Sequence, residues 1–477
     1  MDTYSFSIVG SLVLLMQSCV TVHVLLHKNE VSSAIGWIGL VWLAPIIGCI
    51  VYVILGINRV RRKALRLYNR KADILAITGK TPQEIEKELP PAQAQLLRLG
   101  YKVHPQHFSL GNRFTPLING DEAYPRMCAA IAAATKEVLL ASYIFNNDDT
   151  GKVFADALKS AAQNGAKVRV LIDGVGLNYS HPDITQALKD IPGIECAIFL
   201  PNKRAVNLPL VNLRNHRKLM IIDGKTAFFG GMNIAQGNMV EQQPKDPIQD
   251  VTFEVQGPVI QQIAHLFEED WLFATKQKFT SLAAETYTQT DTSSLPGHTP
   301  ARIIPDGPDR DYGKVQQLCL GALSCAQKTV HIVTPYFLPE NEMLGALETA
   351  AMRGVEVEII LPQKSNIFGM DWAMQANFRR LSEKGVRIYR SQPPFDHSKL
   401  FLVDNIWLLA GSANWDVRSF KLNFESVIEC LDPQLARQVH SIIERKKQGA
   451  QLVSYEKQPP LLRTLRDNLF RLLTPYY

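Results

Sequence analysis

The chain has 477 residues, of which 46% are apolar and 20% charged, with a net charge of +6. These values exclude global disorder and allow about two to four domains. Seven scattered cysteines include no C-x-x-C pair, so zinc-ribbon and thioredoxin-like readings fail, and the odd count gives no disulfide framework and suits a reducing compartment.

A mean hydropathy of −0.04 is high for a soluble protein, and the N-terminus explains it. Tyr4–Leu26 and Ala34–Ile57 are long runs without a charged residue. Each is long enough to cross a bilayer as a helix, and the short joint between them predicts an antiparallel hairpin, residues 1–57. A cleaved signal peptide is the competing reading. It fails because no Lys or Arg precedes Lys28 and the apolar run is too long. Seven basic residues, Arg59, Arg61, Arg62, Lys63, Arg66, Arg70 and Lys71, follow the hairpin, whereas its joint holds only Lys28 and Glu30. The positive-inside rule puts everything after Ile57 in the cytoplasm. The basic run also suits anionic headgroups. A polar, basic connector occupies 58–107.

The rest is duplicated. Ala157–Leu171 and Ala346–Ile360 share one design, a helix, a Gly and a strand, in the same order and spacing. Val138–Phe145 and Val330–Phe337 are matching apolar runs that end near Tyr and Phe. Strands alternating with amphipathic helices predict an α/β fold, with the sheet covered on both faces. The predicted halves are 108–285 and 301–477, joined by a Thr/Ser/Gly/Pro-rich linker at 286–300. Near the end, Leu462, Leu465, Leu469, Leu472 and Leu473 fall on one helical face, with Arg463, Asp467 and Arg471 opposite. Such a helix either lies in a membrane interface or docks on its own domain.

Each half carries one further segment. His216, Lys218, Asp223, Gly230 and Asn233 recur as His397, Lys399, Asp404, Gly411 and Asn414 at identical spacing. At about one in twenty per residue, five fixed types coincide by chance about once in three million positions. The apolar runs Leu219–Ile222 and Leu400–Val403 predict buried strands, on which residues two apart share a face. His and Lys therefore project together. The Asp lies at an odd separation and begins a hairpin turn, so it is expected to be structural. A Lys ammonium binds phosphate oxygens, and a neutral His is a nucleophile or base near pH 7. With the halves face to face, one His can attack phosphorus while the other protonates the leaving oxygen. The lysines, Asn233 and Asn414 then hold the other oxygens. An ammonium beside each His disfavours a metal, and no cofactor is expected. Asp250, downstream of His216, and Glu425, downstream of His397, are the expected histidine-orienting acids, each for the His of its own half.

The paired segments resemble the phospholipase D superfamily. Together with the hairpin, and with the Thr474-Pro-Tyr-Tyr477 end, they are similar to the membrane-bound bacterial cardiolipin synthases. The resemblance implies two tandem phospholipase D-like halves related by a pseudo-twofold. It implies a site made of His216, Lys218, Asp223, His397, Lys399 and Asp404, with His216 as nucleophile and His397 as acid. It further implies reversible transfer of a phosphatidyl group between two phosphatidylglycerol molecules, giving cardiolipin and glycerol through a phosphohistidine. The implied location is the bacterial inner membrane, with the catalytic halves cytoplasmic, lipid as partner and no nucleic acid. A hydrolytic phospholipase D would use the same residues. A superfamily nuclease fits the hairpin poorly, and a non-catalytic scaffold fits two intact motifs poorly. The chain departs from the pattern at Gly231, where Ser is common, and in Gln243–Gln249, which lacks an aromatic residue.

Overall fold

The structure, a computed structural model, describes residues 3–28, 30–56, 87, 89–201, 213–286, 295–454 and 459–474. The basic run 59–71, most of the 286–300 linker and the last three residues lie outside these. The chain divides into two compact units, residues 1–63 and 64–477.

In the first unit α1 (Thr3–His27) is one unbroken helix, and by itself it is long and apolar enough to cross a membrane. The second apolar run departs from the single helix expected. It forms α2 (Val31–Leu43), breaks at Ala44, and continues as α3 (Pro45–Val51) and a π-helical turn, Tyr52–Gly56. Pro45 causes the break: it has no N–H to give to the Val41 carbonyl and its ring crowds that turn. The freed Val41 carbonyl accepts instead from Gln17 Nε2 of α1 at 3.0 Å. A polar seam continues across the hairpin through Trp42 Nε1 to Thr21 Oγ1 at 3.1 Å and His23 Nδ1 with Tyr52 OH at 2.8 Å. Val20, Val24, Val41, Cys49 and Tyr52 pack between the helices.

The second unit is built on a mixed sheet of 15 strands among the described residues. The first half supplies β1 (Ser109–Ile118), β2 (Glu137–Ser142), β3 (Lys167–Asp173), β4 (Ile194–Phe199), β5 (Lys218–Ile222), β6 (Thr226–Gly230) and β7 (Val251–Gln256). The second supplies β8 (Thr299–Asp306), β9 (Thr329–Val333), β10 (Glu356–Pro362), β11 (Arg387–Ser391), β12 (Leu400–Val403), β13 (Trp407–Gly411), β14 (Glu425–Leu431) and a short edge strand, β15 (Gln451–Leu452). The order in the sheet is β15-β11-β10-β9-β12-β13-β14-β8-β1-β7-β6-β5-β2-β3-β4. Each strand of the first half thus has a counterpart seven labels on, and the halves join where β1 runs antiparallel to β8. The parallel pairs, β2 with β3, β3 with β4, β9 with β10, and β10 with β11, are those with helical crossovers.

Those crossovers cover one face. In the first half the crossover α5 (Asp149–Gln163), together with α4 (Asn119–Ala132), which joins β1 to β2, presses Ile131, Phe154 and Leu158 onto Val138, Leu140, Val168 and Val170. The alternate residues Leu139, Leu171 and Ile221 are also buried, on the side where α6 (Ile260–Thr275) lies against β2, β4 and β5. The second half repeats this with α7 (Lys314–Cys325), α8 (Asn341–Met352) and α9 (Met370–Ser382) around one core, and α10 (Pro433–Lys447) on the other side. The described end of the connector, Pro91–Val103, is helical, and its Leu96 and Leu97 join the second-half core. All seven cysteines are free.

Candidate active site

Each His-x-Lys segment leads into a fully buried strand, β5 or β12. Both strands then turn back through residues of positive φ, Asp223 and Gly224 in one half, Asp404 and Asn405 in the other. The Asp223 carboxylate accepts from the amides of Thr135, Lys136 and Glu137 at 2.8–3.1 Å. Asp404 accepts from those of Gln327, Lys328 and Thr329 at 2.7–3.2 Å. Each Asp therefore ties its hairpin to the start of β2 or β9, at the end of the strand away from the His. Burial pushes the Asp223 carboxyl up, but those amides outweigh it and hold the group below its ordinary value. Asp223→Ala is expected to cost about 2 kcal/mol, read as a lowered Tm of the purified protein. A depressed carboxyl contributes above its unfolded pKa, so the wild-type advantage should vanish as the pH falls below about 4.

The histidine segments meet across the two halves. The His216 amide donates to the Phe424 carbonyl at 2.9 Å, and the Phe424 amide to the Arg214 carbonyl at 2.8 Å. In the mirrored place Phe395-Asp396 pairs with Ile248-Gln249, and the His397 amide donates to the Gln249 carbonyl at 2.7 Å. The residue after each acceptor is the acid. His216 Nδ1 meets Glu425 Oε2 at 3.0 Å, and His397 Nδ1 meets Asp250 Oδ2 at 2.9 Å. Sequence separation coupled Asp250 to His216 and Glu425 to His397; the structure crosses these pairs. The cause is backbone pairing between halves, which sequence distance does not report.

Both acids are fully buried. A carboxylate at Nδ1 fixes a neutral imidazole as the Nδ1–H tautomer and leaves the Nε2 lone pair free. His216, His397, Asn233 and Asn414 all line one cavity of about 290 Å³. Lys218 Nζ donates to the His216 carbonyl at 2.6 Å, and Lys399 Nζ makes the same bond to His397. Asn233 Oδ1 accepts from the Ile144 amide at 3.1 Å, which leaves its NH2 end for the cavity. The side-chain oxygen of Asn414 is buried with no hydrogen-bond partner among the described residues.

The family described as "Cardiolipin synthase, PLD-like domain" matches residues 127–271 and 320–447, and the family described as "Phospholipase D-nuclease N-terminal" matches 20–56. The chain belongs to the phospholipase D-like cardiolipin synthases. It is 32% identical to cardiolipin synthase 1 of Bacillus anthracis over 416 residues, 85% of this chain and 81% of that one. It is 28% identical to the cardiolipin synthase of Geobacillus kaustophilus (strain HTA426) over 462 residues, 94% of this chain and 90% of that one. Its fold is similar to that of the phosphatidylserine synthase of Haemophilus influenzae Rd KW20, with a TM-score of 0.60 at 17% identity over 80% of this chain and all of that one. The chain is therefore a membrane-associated phosphatidyltransferase of phospholipids.

Electrostatics in this cardiolipin synthase site favour an anion. Burial lowers His216, against the pull of Glu425, and lowers His397 to about 4. Burial also drives Lys399 down to about 8 and Lys218 well below its ordinary range. Burial pushes Glu425 up, but His216 and Lys218 outweigh it and hold it ionised. The Lys399 charge adds to the lowering of Lys218, so the two ammonium groups repel each other, and an anion bound beside the histidines they follow removes the conflict.

The Gly231 departure has a steric reason. A Cβ there would meet Lys399 Cδ at 2.9 Å and the Gly411 carbonyl at 3.2 Å, so the lysine stem fills the space a Ser would need. The counterpart Ser412 donates its hydroxyl to Glu425 Oε2 at 2.5 Å, an interaction that Asp250 lacks. Tyr143 and Tyr336 escaped the sequence reading. Their rings stand edge-on to His216 and His397, with centroids 4.9 and 6.5 Å apart. The matching strand runs ending near Tyr were the available signal. Arg418 also lines the cavity, and nothing in the motif spacing marks it.

Proposed function

We propose that this enzyme makes cardiolipin from two phosphatidylglycerol molecules at a single site shared by both halves. The observation that carries this is the crossed pair of His–carboxylate contacts around one cavity, with a Lys two residues after each His. His216 Nε2 attacks the phosphorus of the first lipid. The bond from phosphorus to the glycerol headgroup breaks, and His397, which takes up a proton when the phosphodiester anion binds beside it, gives that proton to the oxygen, releasing glycerol. The phosphatidyl group now sits on His216. His397, neutral, takes the proton from a headgroup hydroxyl of the second lipid, whose oxygen attacks phosphorus as the bond to His216 breaks. The product is cardiolipin, and His397 is protonated again. Lys218, Lys399, Asn233 and Asn414 hold the non-bridging oxygens as charge develops. His216 is assigned the attack because its carboxylate is the better braced: Glu425 takes hydrogen bonds from Ser412 and, at 3.2 Å, from Asn423 Nδ2.

The two apolar segments cross the bilayer as a hairpin, and the basic run 59–71 keeps the catalytic halves on the cytoplasmic side of the inner membrane, against anionic headgroups. The partners are lipids rather than nucleic acid, and the phosphate chemistry uses side chains without a metal. Asp250 and Glu425 act as positioning residues, and Asp223 and Asp404 as structural ones. The halves are 108–285 and 301–477.

The test is to incubate membranes carrying the enzyme with phosphatidylglycerol alone and identify the products by mass spectrometry. Cardiolipin and glycerol in equal amounts are expected, with cardiolipin consumed when glycerol is added in excess. Phosphatidic acid and glycerol would replace this reading with hydrolysis.

A further inference from the structure

The last helix, α11 (Leu461–Arg471), is mounted the opposite way round from an ordinary amphipathic surface helix. It packs on α9 through Phe470, whose ring lies 4.7 Å from that of Trp372, through Arg466, 4.7 Å above the Trp372 ring, and through Asp467, which is buried and paired with Arg466. These residues occupy one side of the helix. The leucines occupy the other and face outward: Leu462 is 81% exposed, Leu472 71%, Leu469 62% and Leu465 56%. A contiguous outward apolar stripe of this kind marks an interaction surface. Phe368, 80% exposed, adds a second apolar projection where α11 meets α9, with its ring 5.8 Å from that of Phe470.

Two observations identify the occupant. Phe368 lies between Ile367 and Met370, which both line the catalytic cavity, so the apolar platform adjoins the place where a lipid must enter. The helix carries Arg463, Arg466 and Arg471 against Asp467 alone, a net charge of 3 − 1 = +2, and Arg463 and Arg471 are exposed, so an anionic surface complements it. We propose that the leucine face of α11 and Phe368 insert into the interfacial layer of the anionic bilayer and hold the cavity mouth against it. This rests on the reading of the protein as a lipid phosphatidyltransferase and assigns the surface that presents the substrate. Chains of phosphatidylglycerol then pass from the monolayer over Phe368 to the cavity without crossing water.

The experiment uses the full-length enzyme in vesicles of phosphatidylglycerol and a neutral lipid. A bimane label at Leu469→Cys, corrected for the labelled unsubstituted enzyme, should be quenched by lipids brominated high in the acyl chain. The variant Leu462→Glu/Leu465→Glu/Leu469→Glu should raise the apparent KM on vesicles about tenfold. Its rate on monomeric short-chain phosphatidylglycerol should match wild type. An unquenched label, an unchanged vesicle KM, or an equal loss on the short-chain substrate would each overturn the proposal. If the label is quenched but wild type forms no cardiolipin, the docking stands and the reaction assigned above fails.

Discussion

His216→Ala should lower cardiolipin formation by about 10⁴-fold or more, on the order of the loss when the nucleophile of a covalent mechanism is removed. His397→Ala should be as damaging on phosphatidylglycerol, because glycerol leaves as an alkoxide unless its oxygen is protonated. The two variants separate on a phosphatidyl ester whose leaving group departs as its anion at neutral pH, such as nitrophenol. Attack by His216 needs no acid there. His397→Ala should then release one equivalent of nitrophenolate per enzyme in a burst and stop, because the second step lacks its base. The phosphatidyl group should stay on His216 as an acid-labile phosphoramidate, detectable with labelled phosphorus. His216→Ala should give neither burst nor label. The reverse pattern would exchange the two roles. Glu425→Gln should share part of the His216 phenotype, a loss on the order of 10²–10⁴, although Glu425 belongs to the other half. Its contact with His216 Nδ1 at 3.0 Å predicts that coupling.

The His and Lys positions were legible because their spacing follows from strand geometry. Two residues apart on a buried strand means one face, and a duplicated strand means two such faces. The placement of Asp223 and Asp404 away from the histidines was legible for the same reason, since an odd separation points off the shared face. The orienting pairs were not. Their contacts depend on Phe424 and Gln249 pairing with the other half's histidine segment, and no local periodicity encodes a partner in the other half of the chain. The break in the second apolar run was written in Pro45, but counting hydrophobic length passes over it. The last helix shows a different limit. A helical wheel separates leucines from arginines, but only the position of Trp372 and Phe470 decides which side docks. Here the side with Asp467 faces inward, the reverse of what hydrophobicity alone would choose.

Loss of the Lys399 charge should set the alkaline limit of the reaction. Burial has brought this ammonium down to about 8, with Asp250 and Glu425 pulling the other way. A lysine is charged below its pKa, so the site holds its cation at neutral pH and sheds it as the pH rises through 8. A phosphodiester does not titrate there, so the change in affinity belongs to the enzyme. On a short-chain phosphatidylglycerol, kcat/KM, which reports the free enzyme, should fall about tenfold per pH unit above 8. The kcat profile at saturating lipid should stay flat to higher pH, because the bound anion stabilises the ammonium. Lys399→Ala should cost about 10²–10³ in kcat, as loss of one fixed charge at the reacting oxygens does, and should abolish the drop above pH 8. Lys399→Arg is not a substitute: the stem passes 2.9 Å from where a Cβ on Gly231 would lie, and a planar guanidinium does not fit the point contact made by the ammonium. A wild-type kcat/KM that stays level to pH 10 would mean that another group holds the phosphate.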